Sequence, residues 1–308
     1  MLKVLIACEE SQRVCTAFRE LGHEAYSADI QEPSGGHPEW HILGDVLDVL
    51  NPKDHLGDFE APDRYISFRT MDGRYHEVQQ WDIIIAHPPC TYLSNAGACR
   101  LYPKKGQLNL ERYQQGLEAK AFFMNFLNAD CEHIAVENPI PSKVYEMPPY
   151  TQIIQPYEYG HPYTKKTCLW LKGLPKLEPT NIVEPLGGWV CGNAEIWKKQ
   201  AAKGKVYGKE KDAKHRSKTF EGIAAAMAEQ WSNYIESNKE IIVMIDSMEV
   251  HEAEPVKRGR WIDIYEYCEA LDIRPTGLED YYWCSECDKA EKKTSDFCPN
   301  CGARMKEE

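Results

Sequence analysis

The sequence lacks the features of membrane and secreted proteins. No apolar run approaches the length of about 20 residues that crosses a bilayer, and the N-terminus has no signal-like pattern. Internal repeats and low-complexity tracts are also missing. Twelve cysteines in such a chain indicate a reducing cytosol, where disulfides are rare. We therefore expect a cytoplasmic protein without disulfides and without a membrane partner.

The balance of charge excludes a surface that binds nucleic acid everywhere. The 308 residues carry a net charge of -12, but charge acts locally. Residues 198–218, which we call the basic island, hold only two acids and nine bases: Lys198, Lys199, Lys203, Lys205, Lys209, Lys211, Lys214, Arg216 and Lys218. A solvated lysine-rich loop and a phosphate-binding segment both remain open interpretations.

The chain begins with a strand–helix–strand pattern. Apolar residues predict strands over 3–7 and 24–29, and Ser11 to Leu21 has helical spacing, with Val14, Phe18 and Leu21 on one face. The apolar pattern resumes over residues 42–50. Residues 52–80 are polar and interrupted, which indicates an insertion with a hairpin at residues 71–74.

The segment Asp82-Ile-Ile-Ile-Ala-His-Pro-Pro-Cys90 is the most informative one. Its apolar residues suit a parallel strand covered on both faces, and ligands of open α/β sheets bind beyond the carboxyl ends of such strands. The two prolines restrict the backbone before Cys90. The thiol is therefore predicted at a rigid, functional position, although a small apolar residue in a tight turn has the same local pattern.

The rest of the chain predicts a second acidic residue at the end of a strand and a division of the chain into two units. We predict a helix over residues 110–128 with Leu117, Phe123, Met124 and Leu127 in the core, a strand over 133–136 followed by Glu137, and a helix over 219–237. A change in composition after Asn238 divides the chain into residues 1–238 and a C-terminal appendage, 239–308. In the appendage we expect a strand over 241–245 and a helix over 261–271.

The appendage ends in two Cys-x-x-Cys pairs, which predict a structural zinc site. Each pair brings two thiolates to one side of a tight turn, and four thiolates complete a closed tetrahedral shell. Such a small module needs its metal in order to fold. Four unrelated reduced cysteines, or a redox pair, are the alternatives. We expect a zinc ribbon over residues 282–305, with the ligands Cys284, Cys287, Cys298 and Cys301.

Cys90 and Glu137 together suit nucleophilic chemistry. A thiolate is a strong nucleophile, and a carboxyl group opposite it exchanges the proton that attack on an electron-poor ring requires. Each residue follows a predicted strand. A structural carboxylate that only caps or accepts hydrogen bonds is the alternative for Glu137 alone.

Several short motifs resemble those of the DNA cytosine-5 methyltransferases. The His87-Pro-Pro-Cys-Thr-Tyr-Leu-Ser-Asn-Ala-Gly97 segment is similar to the family's Pro-Cys loop, and Val136-Glu-Asn-Pro139 to its Glu-Asn-Val element. The remaining matches keep the family's order over residues 3 to 235. They are Asp29 at the ribose-binding position, Gly44-Asp45-Val46, Tyr159-Gly-His-Pro162 and Gly222-Ile-Ala224.

This resemblance implies a Rossmann-like, S-adenosylmethionine-dependent α/β fold with a small recognition insert, residues 173–218, and DNA as the partner. Cys90 would add to C6 of cytosine, Glu137 would protonate N3, and Lys165 would favour the thiolate. Substrate contacts would come from Ser94, Asn138 and Thr167. The cofactor-binding positions implied are Ala7, Cys8, Glu9, Asp29, Asp45, Pro88, Gly222 and Ala224.

The chain also departs from the family. Ala7-Cys-Glu-Glu-Ser-Gln12 has no glycine where the family has Phe-x-Gly-x-Gly, and Tyr163-Thr-Lys165-Lys-Thr167 replaces Gln-x-Arg-x-Arg. The short insert is similar to compact, phage-type relatives, which implies a bacterial or phage-infected host cytosol. Two alternatives stay open: methylation of an exocyclic amine, and a DNA-binding relative that has lost the cofactor.

Overall fold

The computed structural model describes residues 1–55, 63–104, 106–185, 218–247, 258–259, 261–263, 282–286, 290–291 and 304–305. Its contacts divide the chain into two units, Met1–Ile242 and Val243–Glu308. The described cysteines form no disulfide.

The described residues of the first unit form ten strands and four helices. The strands are β1 (Lys3–Ala7), β2 (Glu24–Asp29), β3 (His41–Leu43), β4 (Lys53–His55), β5 (Asp63–Arg69), β6 (Tyr75–Val78), β7 (Ile83–Ala86), β8 (Ile134–Pro139), β9 (Gln152–Ile154) and β10 (Thr167–Lys172). The helices are α1 (Arg13–Glu20), α2 (Ala98–Leu101), α3 (Leu110–Leu127) and α4 (Glu221–Ser247), which runs on into the second unit. Short 3₁₀ turns lie at Pro38–Trp40, Val46–Val49, Asn95–Gly97, Lys143–Tyr145 and Pro156–Glu158.

Seven strands form a central, mostly parallel sheet in the order β3-β2-β1-β7-β8-β10-β9. Only β10 runs antiparallel to its neighbours, β8 and β9. Because β2 and β3 lie on one side of β1 while β7 and β8 lie on the other, the strand order reverses between β1 and β7. Ligands of doubly wound α/β sheets bind at such a reversal. The expectation of a mixed α/β fold with a parallel sheet is confirmed.

Both faces of the sheet are covered, as the continuous apolar runs predict. Successive side chains of β1 and β7 alternate between two apolar clusters, so that Leu5 and Ile84 pack on one side while Ile6 and Ile85 pack on the other. The first cluster includes the α3 side chains, and the second includes those of α1 and α4. This alternation is what a strand with a period of two residues produces between two helical layers.

The insertion after β3 forms a small antiparallel sheet in the order β4-β5-β6. The hairpin predicted at residues 71–74 is confirmed, because β5 pairs with β6 across that turn. Ile66, Phe68 and Val78 are buried in the first apolar cluster. The insertion therefore extends the core.

Several sequence-based expectations are wrong in detail. Leu21 ends α1 and is 50 % exposed. Phe126, which is not among the predicted core residues of α3, is fully buried. Residues 241–245 continue α4, and the boundary at Asn238 lies inside that helix. A short apolar run has the same pattern in a strand and in a buried helix, and the preceding helix decides which one forms here.

The second unit contains short strands. They are β11 (Arg258–Gly259), β12 (Trp261–Asp263), β13 (Tyr282–Cys284), β14 (Ala290–Glu291) and β15 (Arg304–Met305). The helix expected from residue 261 is wrong at its start, because β12 pairs antiparallel with β13; residues 264–271 lie outside the described ranges. No helix in the described part of either unit is long and apolar enough to span a membrane.

Candidate functional site

A cavity of about 200 Å³ opens where the strand order reverses. Its walls come from the loops after β1 and β7, the end of β8, the approach to β10 and the approach to α4. The lining residues are Cys8, Glu9, Glu10, Ser11, His87, Pro88, Pro89, Cys90, Glu137, Pro139, Lys165, Lys218 and Thr219. The structure thus brings together all three predicted catalytic residues, along with the predicted cofactor residues Cys8, Glu9 and Pro88.

The loop that carries Cys90 is held at both ends. The His87 backbone N–H donates to the Ala7 carbonyl at 2.9 Å and extends the pairing of β7 with β1. The Ser94 N–H donates to the Cys90 carbonyl at 3.0 Å, and the Ser94 hydroxyl accepts from the Ala96 N–H at 3.1 Å. Ser94 is buried and stabilises the turn after Cys90. Its predicted contact with the substrate stays a prediction.

Cys90 is a thiol in the resting protein. Burial raises its pKa first, and the Glu137 charge raises it further, while Lys165 lowers it. The effect predicted for Lys165 therefore has the right sign, but the other two effects outweigh it.

Glu137 is hydrogen-bonded to His87, with 3.1 Å between Oε2 and the imidazole Nδ1. The two side chains are only 15 % and 11 % exposed. Burial opposes charge on each, but the hydrogen bond and the attraction between them dominate. The pKa of His87 is raised and that of Glu137 is lowered, with Lys165 also lowering the latter. The hydrogen bond therefore favours the protonated form of His87 and the ionised form of Glu137.

The other predicted substrate residues support this wall of the cavity. The Lys165 N–H donates to Gln155 Oε1 at 3.0 Å, and the Thr167 hydroxyl donates to the Lys165 carbonyl at 3.2 Å. Thr167 lines a smaller pocket that His87, Glu137 and Lys165 share. Asn138 is buried and donates to the Pro139 carbonyl, while its Oδ1 has no hydrogen-bond partner in the described part of the chain.

The glycine-free loop after β1 adopts backbone angles that favour glycine. Cys8 has φ 59° and Gln12 has φ 57°, both in the left-handed region. The side chain of Gln12 stabilises this conformation, since its Nε2 donates to the His37 carbonyl at 2.8 Å and its Oε1 accepts from the His37 N–H at 3.1 Å. The loop therefore makes its turns without glycine.

Glu9 fills the N-terminus of α1. Its carboxylate accepts from the N–H groups of Val14 at 2.8 Å and Cys15 at 3.1 Å, and from the Ser11 hydroxyl at 3.4 Å. Burial raises the pKa of Glu9, against the opposing effects of the His87 charge and these donors. Helix N-termini commonly bind anionic ligands. Here the chain's own carboxyl group takes that position.

Ala7, Asp29 and Asp45 lie at the carboxyl ends of neighbouring strands. Asp29 Oδ1 accepts from the Gln31 N–H at 2.9 Å, and Asp45 Oδ1 accepts from the Leu47 N–H at 3.0 Å. Burial raises the pKa of Cys8, and the charges of both aspartates raise it further, so all three groups are close in space. Ala7, Asp29 and Asp45 do not line the cavity described above. Their contact with a cofactor stays a prediction.

Gly222 and Ala224 pack the start of α4. The Gly222 N–H donates to His161 Nε2 at 3.1 Å, and a Cβ atom added to Gly222 would lie 2.0 Å from the Tyr159 carbonyl oxygen. Ala224 is buried in the second apolar cluster. These contacts are within the protein, so a cofactor contact of either residue is again untested.

Sequence reasoning missed His87, Ser11, Lys218 and Thr219 as cavity residues. The available signal for His87 was its place as the first residue after β7, at the carboxyl end of a parallel strand. The Lys218 ammonium donates to the Ser34 hydroxyl at 3.0 Å. Lys218 is the only residue of the basic island among the described residues.

The zinc site lies largely outside the described residues, as do Cys287, Cys298 and Cys301. Cys284 is buried at the end of β13, and its sulfur accepts from the Glu286 N–H at 3.4 Å. The described residues contain no group of three or more His, Cys, Asp or Glu side chains that would hold a metal ion. The zinc ribbon therefore stays a prediction.

Comparisons with known proteins identify no family. No family model matches the chain, and no curated protein matches it. Among solved structures, a methyltransferase of Entamoeba histolytica is similar at 13 % identity and a TM-score of 0.33. The match covers 59 % of this chain and 58 % of that one, so the chain spans less than two thirds of that structure's length.

Proposed function

We propose that this protein is an S-adenosylmethionine-dependent DNA cytosine-5 methyltransferase. The observation that supports the proposal most is the single cavity, at the reversal of strand order, that holds Cys90 together with Glu137 and Lys165. A nucleophile, a group that exchanges protons and a cation are what a covalent attack on a cytosine ring requires.

The residues near the cavity suit S-adenosylmethionine by the chemistry of their side chains. Asp29 would hold the ribose hydroxyl groups, and the turn at Cys8 would let the backbone approach the cofactor. Because Glu9 already fills the N-terminus of α1, the cofactor's carboxylate would need another positive group. Lys218 lines the cavity and supplies one. The cofactor contributes an electrophilic methyl group on sulfonium sulfur.

The chain's residues would act in sequence on the cytosine. The Cys90 thiolate would form a bond to C6, and Glu137 would protonate N3 as the ring electrons move toward it. C5 would then be nucleophilic enough to accept the methyl group. Loss of the C5 proton and of the thiolate would restore the aromatic ring.

The target base must leave the DNA stack to reach this cavity. Flipping a base out of a duplex costs a few kcal/mol, and phosphate contacts offset part of that cost. We propose the basic island as the source of these contacts. Its last residue, Lys218, lines the cavity, and this supports the assignment.

Transfer of labelled methyl groups to DNA tests the proposal. Purified protein is incubated with labelled S-adenosylmethionine and cytosine-containing DNA, and the product nucleoside is identified. We expect 5-methylcytosine, and we expect Cys90→Ser to reduce transfer to background because an alcohol is a far poorer nucleophile than a thiolate. Cys99→Ser is the matched control, since Cys99 is exposed and does not line the cavity.

Two outcomes would overturn the proposal. A methyl group on N4 of cytosine would indicate an exocyclic-amine methyltransferase. A protein that shows no binding heat with S-adenosylmethionine and transfers no methyl group would be a DNA-binding relative that lost the cofactor.

A further inference from the structure

His87 is buried beside the site without a role in the chemistry described above. Its Nδ1 contacts Glu137 Oε2 at 3.1 Å, and its Nε2 is buried without a hydrogen-bond partner in the described ranges. The residue lines both the main cavity and the smaller pocket next to it. A buried imidazole that donates to one carboxylate is expensive to desolvate, so it calls for an explanation.

In the protein without substrate, the pKa of Glu137 favours its ionised form, whereas the proposed reaction needs Glu137 to donate a proton. To protonate N3, Glu137 must carry a proton, yet the hydrogen bond from His87 and the charge of Lys165 hold the pKa of Glu137 low. The proton that the reaction needs is instead on His87, whose pKa is raised.

We propose that His87 stores the proton that Glu137 delivers to N3 of the target cytosine. This inference rests on the proposed function. His87 does not touch the base in this account, and it acts through Glu137 as a positioning residue. Its Nδ1–Oε2 contact is the path of the proton.

The step balances in protons and electrons. The Cys90 proton leaves to solvent water, and the thiolate pair forms the S–C6 bond. The displaced ring electrons reach N3 and take a proton from Glu137, while Glu137 receives the Nδ1 proton of His87. After methyl transfer the C5 proton leaves to water and the S–C6 bond breaks. The N3 proton then returns through Glu137 to His87.

Charged groups from three other elements act on His87. Glu137 within β8 and Glu9 after β1 favour its protonated form, whereas Lys165 before β10 opposes it. The two carboxyl groups outweigh the lysine and the cost of burial. A proton is therefore retained beside the cavity at a pH where an exposed histidine would have lost it.

The pH profile of methyl transfer tests the proposal in the full-length protein. Transfer needs Cys90 ionised while the pair keeps its proton. Below the pKa of His87 the rate rises about tenfold per pH unit with the thiolate fraction. Above that pKa, loss of the stored proton cancels the gain, and the rate becomes level. The pH at which the rate stops rising, which we call the break, therefore gives the pKa at which the His87–Glu137 pair loses its proton.

We expect His87→Asn to move the break to lower pH, because Glu137 alone must then hold the proton. The level rate should fall by about tenfold for each pH unit that the break moves. An unchanged break with a lower rate at every pH would overturn the proposal, since a purely structural role acts in that way. His133→Asn is the matched control, because His133 lies just before β8, its Nδ1 donates to the Asp82 carbonyl at 3.0 Å, and it does not line the cavity.

A second measurement does not depend on the folding of a His87 variant. Nitrogen NMR of the histidine rings in the wild-type protein gives the titration of His87 directly. We expect it to titrate above pH 6.5, the usual histidine value, and to shift downward in Glu137→Gln. A His87 that titrates at or below pH 6.5 would overturn the proposal. Failure of the proposed function is distinguishable, because the wild-type protein would then transfer no methyl group to C5 at any pH.

Discussion

At the scale of single residues, the left-handed conformation of Cys8 is the clearest departure from the sequence pattern. Glycine is the usual residue for such angles, and other residues adopt them at a cost of about 1–2 kcal/mol. The sequence alone gave no sign of this turn, because a residue's φ angle here depends on tertiary contacts such as the Cys8 N–H to Ala28 carbonyl hydrogen bond at 2.7 Å.

The strain at Cys8 leads to a stability prediction. Cys8→Gly and Cys8→Ala both remove the thiol, but only alanine retains a Cβ in the left-handed region. We expect the glycine variant to be more stable to denaturant by about 1 kcal/mol. At Cys15, within α1, we expect the opposite order, since glycine is about 1 kcal/mol worse than alanine in a helix. A Cys8→Ala variant that is at least as stable as Cys8→Gly would show that Cys8 is unstrained.

The proton pair of His87 and Glu137 could be predicted only in part. Glu137 was recognisable because it follows an apolar run, although the structure includes it in β8 rather than after it, and His87 immediately precedes the prolines. Their 3.1 Å contact joins the ends of two strands that are separated by about 50 residues in the sequence. No local pattern gives the distance between such groups.

At the scale of elements, long apolar segments were predicted well. β1 and β7 lie where their residues indicated, because a strand covered on both faces needs a continuous apolar run. β2 also lies at its predicted residues, although it contains polar side chains. α3 begins at Leu110, as predicted, and the Asn109 side chain caps it by accepting a hydrogen bond from the Arg112 N–H. Short elements were predicted poorly. Residues 241–245 became helical since they follow an uninterrupted helix, and β12 forms through pairing with a distant strand.

The packing of α4 against the loop at Tyr159 gives a second stability prediction. Alanine normally favours a helix over glycine by about 1 kcal/mol. At Gly222, however, the added Cβ would meet the Tyr159 carbonyl at 2.0 Å. We expect Gly222→Ala to destabilise the protein by about 1–3 kcal/mol in denaturant unfolding, because the helix must shift.

The exposed residue Ala225 on the same helix is the control for this prediction. Ala225→Gly should cost about 1 kcal/mol through helix propensity alone. A Gly222→Ala variant that is more stable than the parent protein would contradict the close approach of α4 to the loop.

At the scale of the whole molecule, the order of strands creates the site. Residues that are far apart in sequence meet because β1, β7 and β8 are neighbours in the sheet. The sequence indicated that Cys90 and Glu137 both follow strands. Their adjacency depends on which strands pair, and a single sequence does not encode that in a readable local pattern.

The C-terminal unit carries the zinc prediction. We expect one zinc ion per chain in protein purified without chelator, because four thiolates at this spacing form a closed tetrahedral site. Cys284→Ser should lower the zinc content in elemental analysis, whereas Cys99→Ser should not. Protein without zinc would contradict the ribbon and leave the account of the first unit intact.

The proposed reaction passes through a bond between the sulfur of Cys90 and C6 of cytosine. Mass spectrometry detects this bond in protein incubated with S-adenosylmethionine and DNA containing 5-fluorocytosine, which blocks release of the adduct. We expect a covalent protein–DNA species whose modified peptide contains Cys90. The absence of an adduct under conditions that trap a known cytosine-5 methyltransferase, or an adduct on a different cysteine, would contradict it.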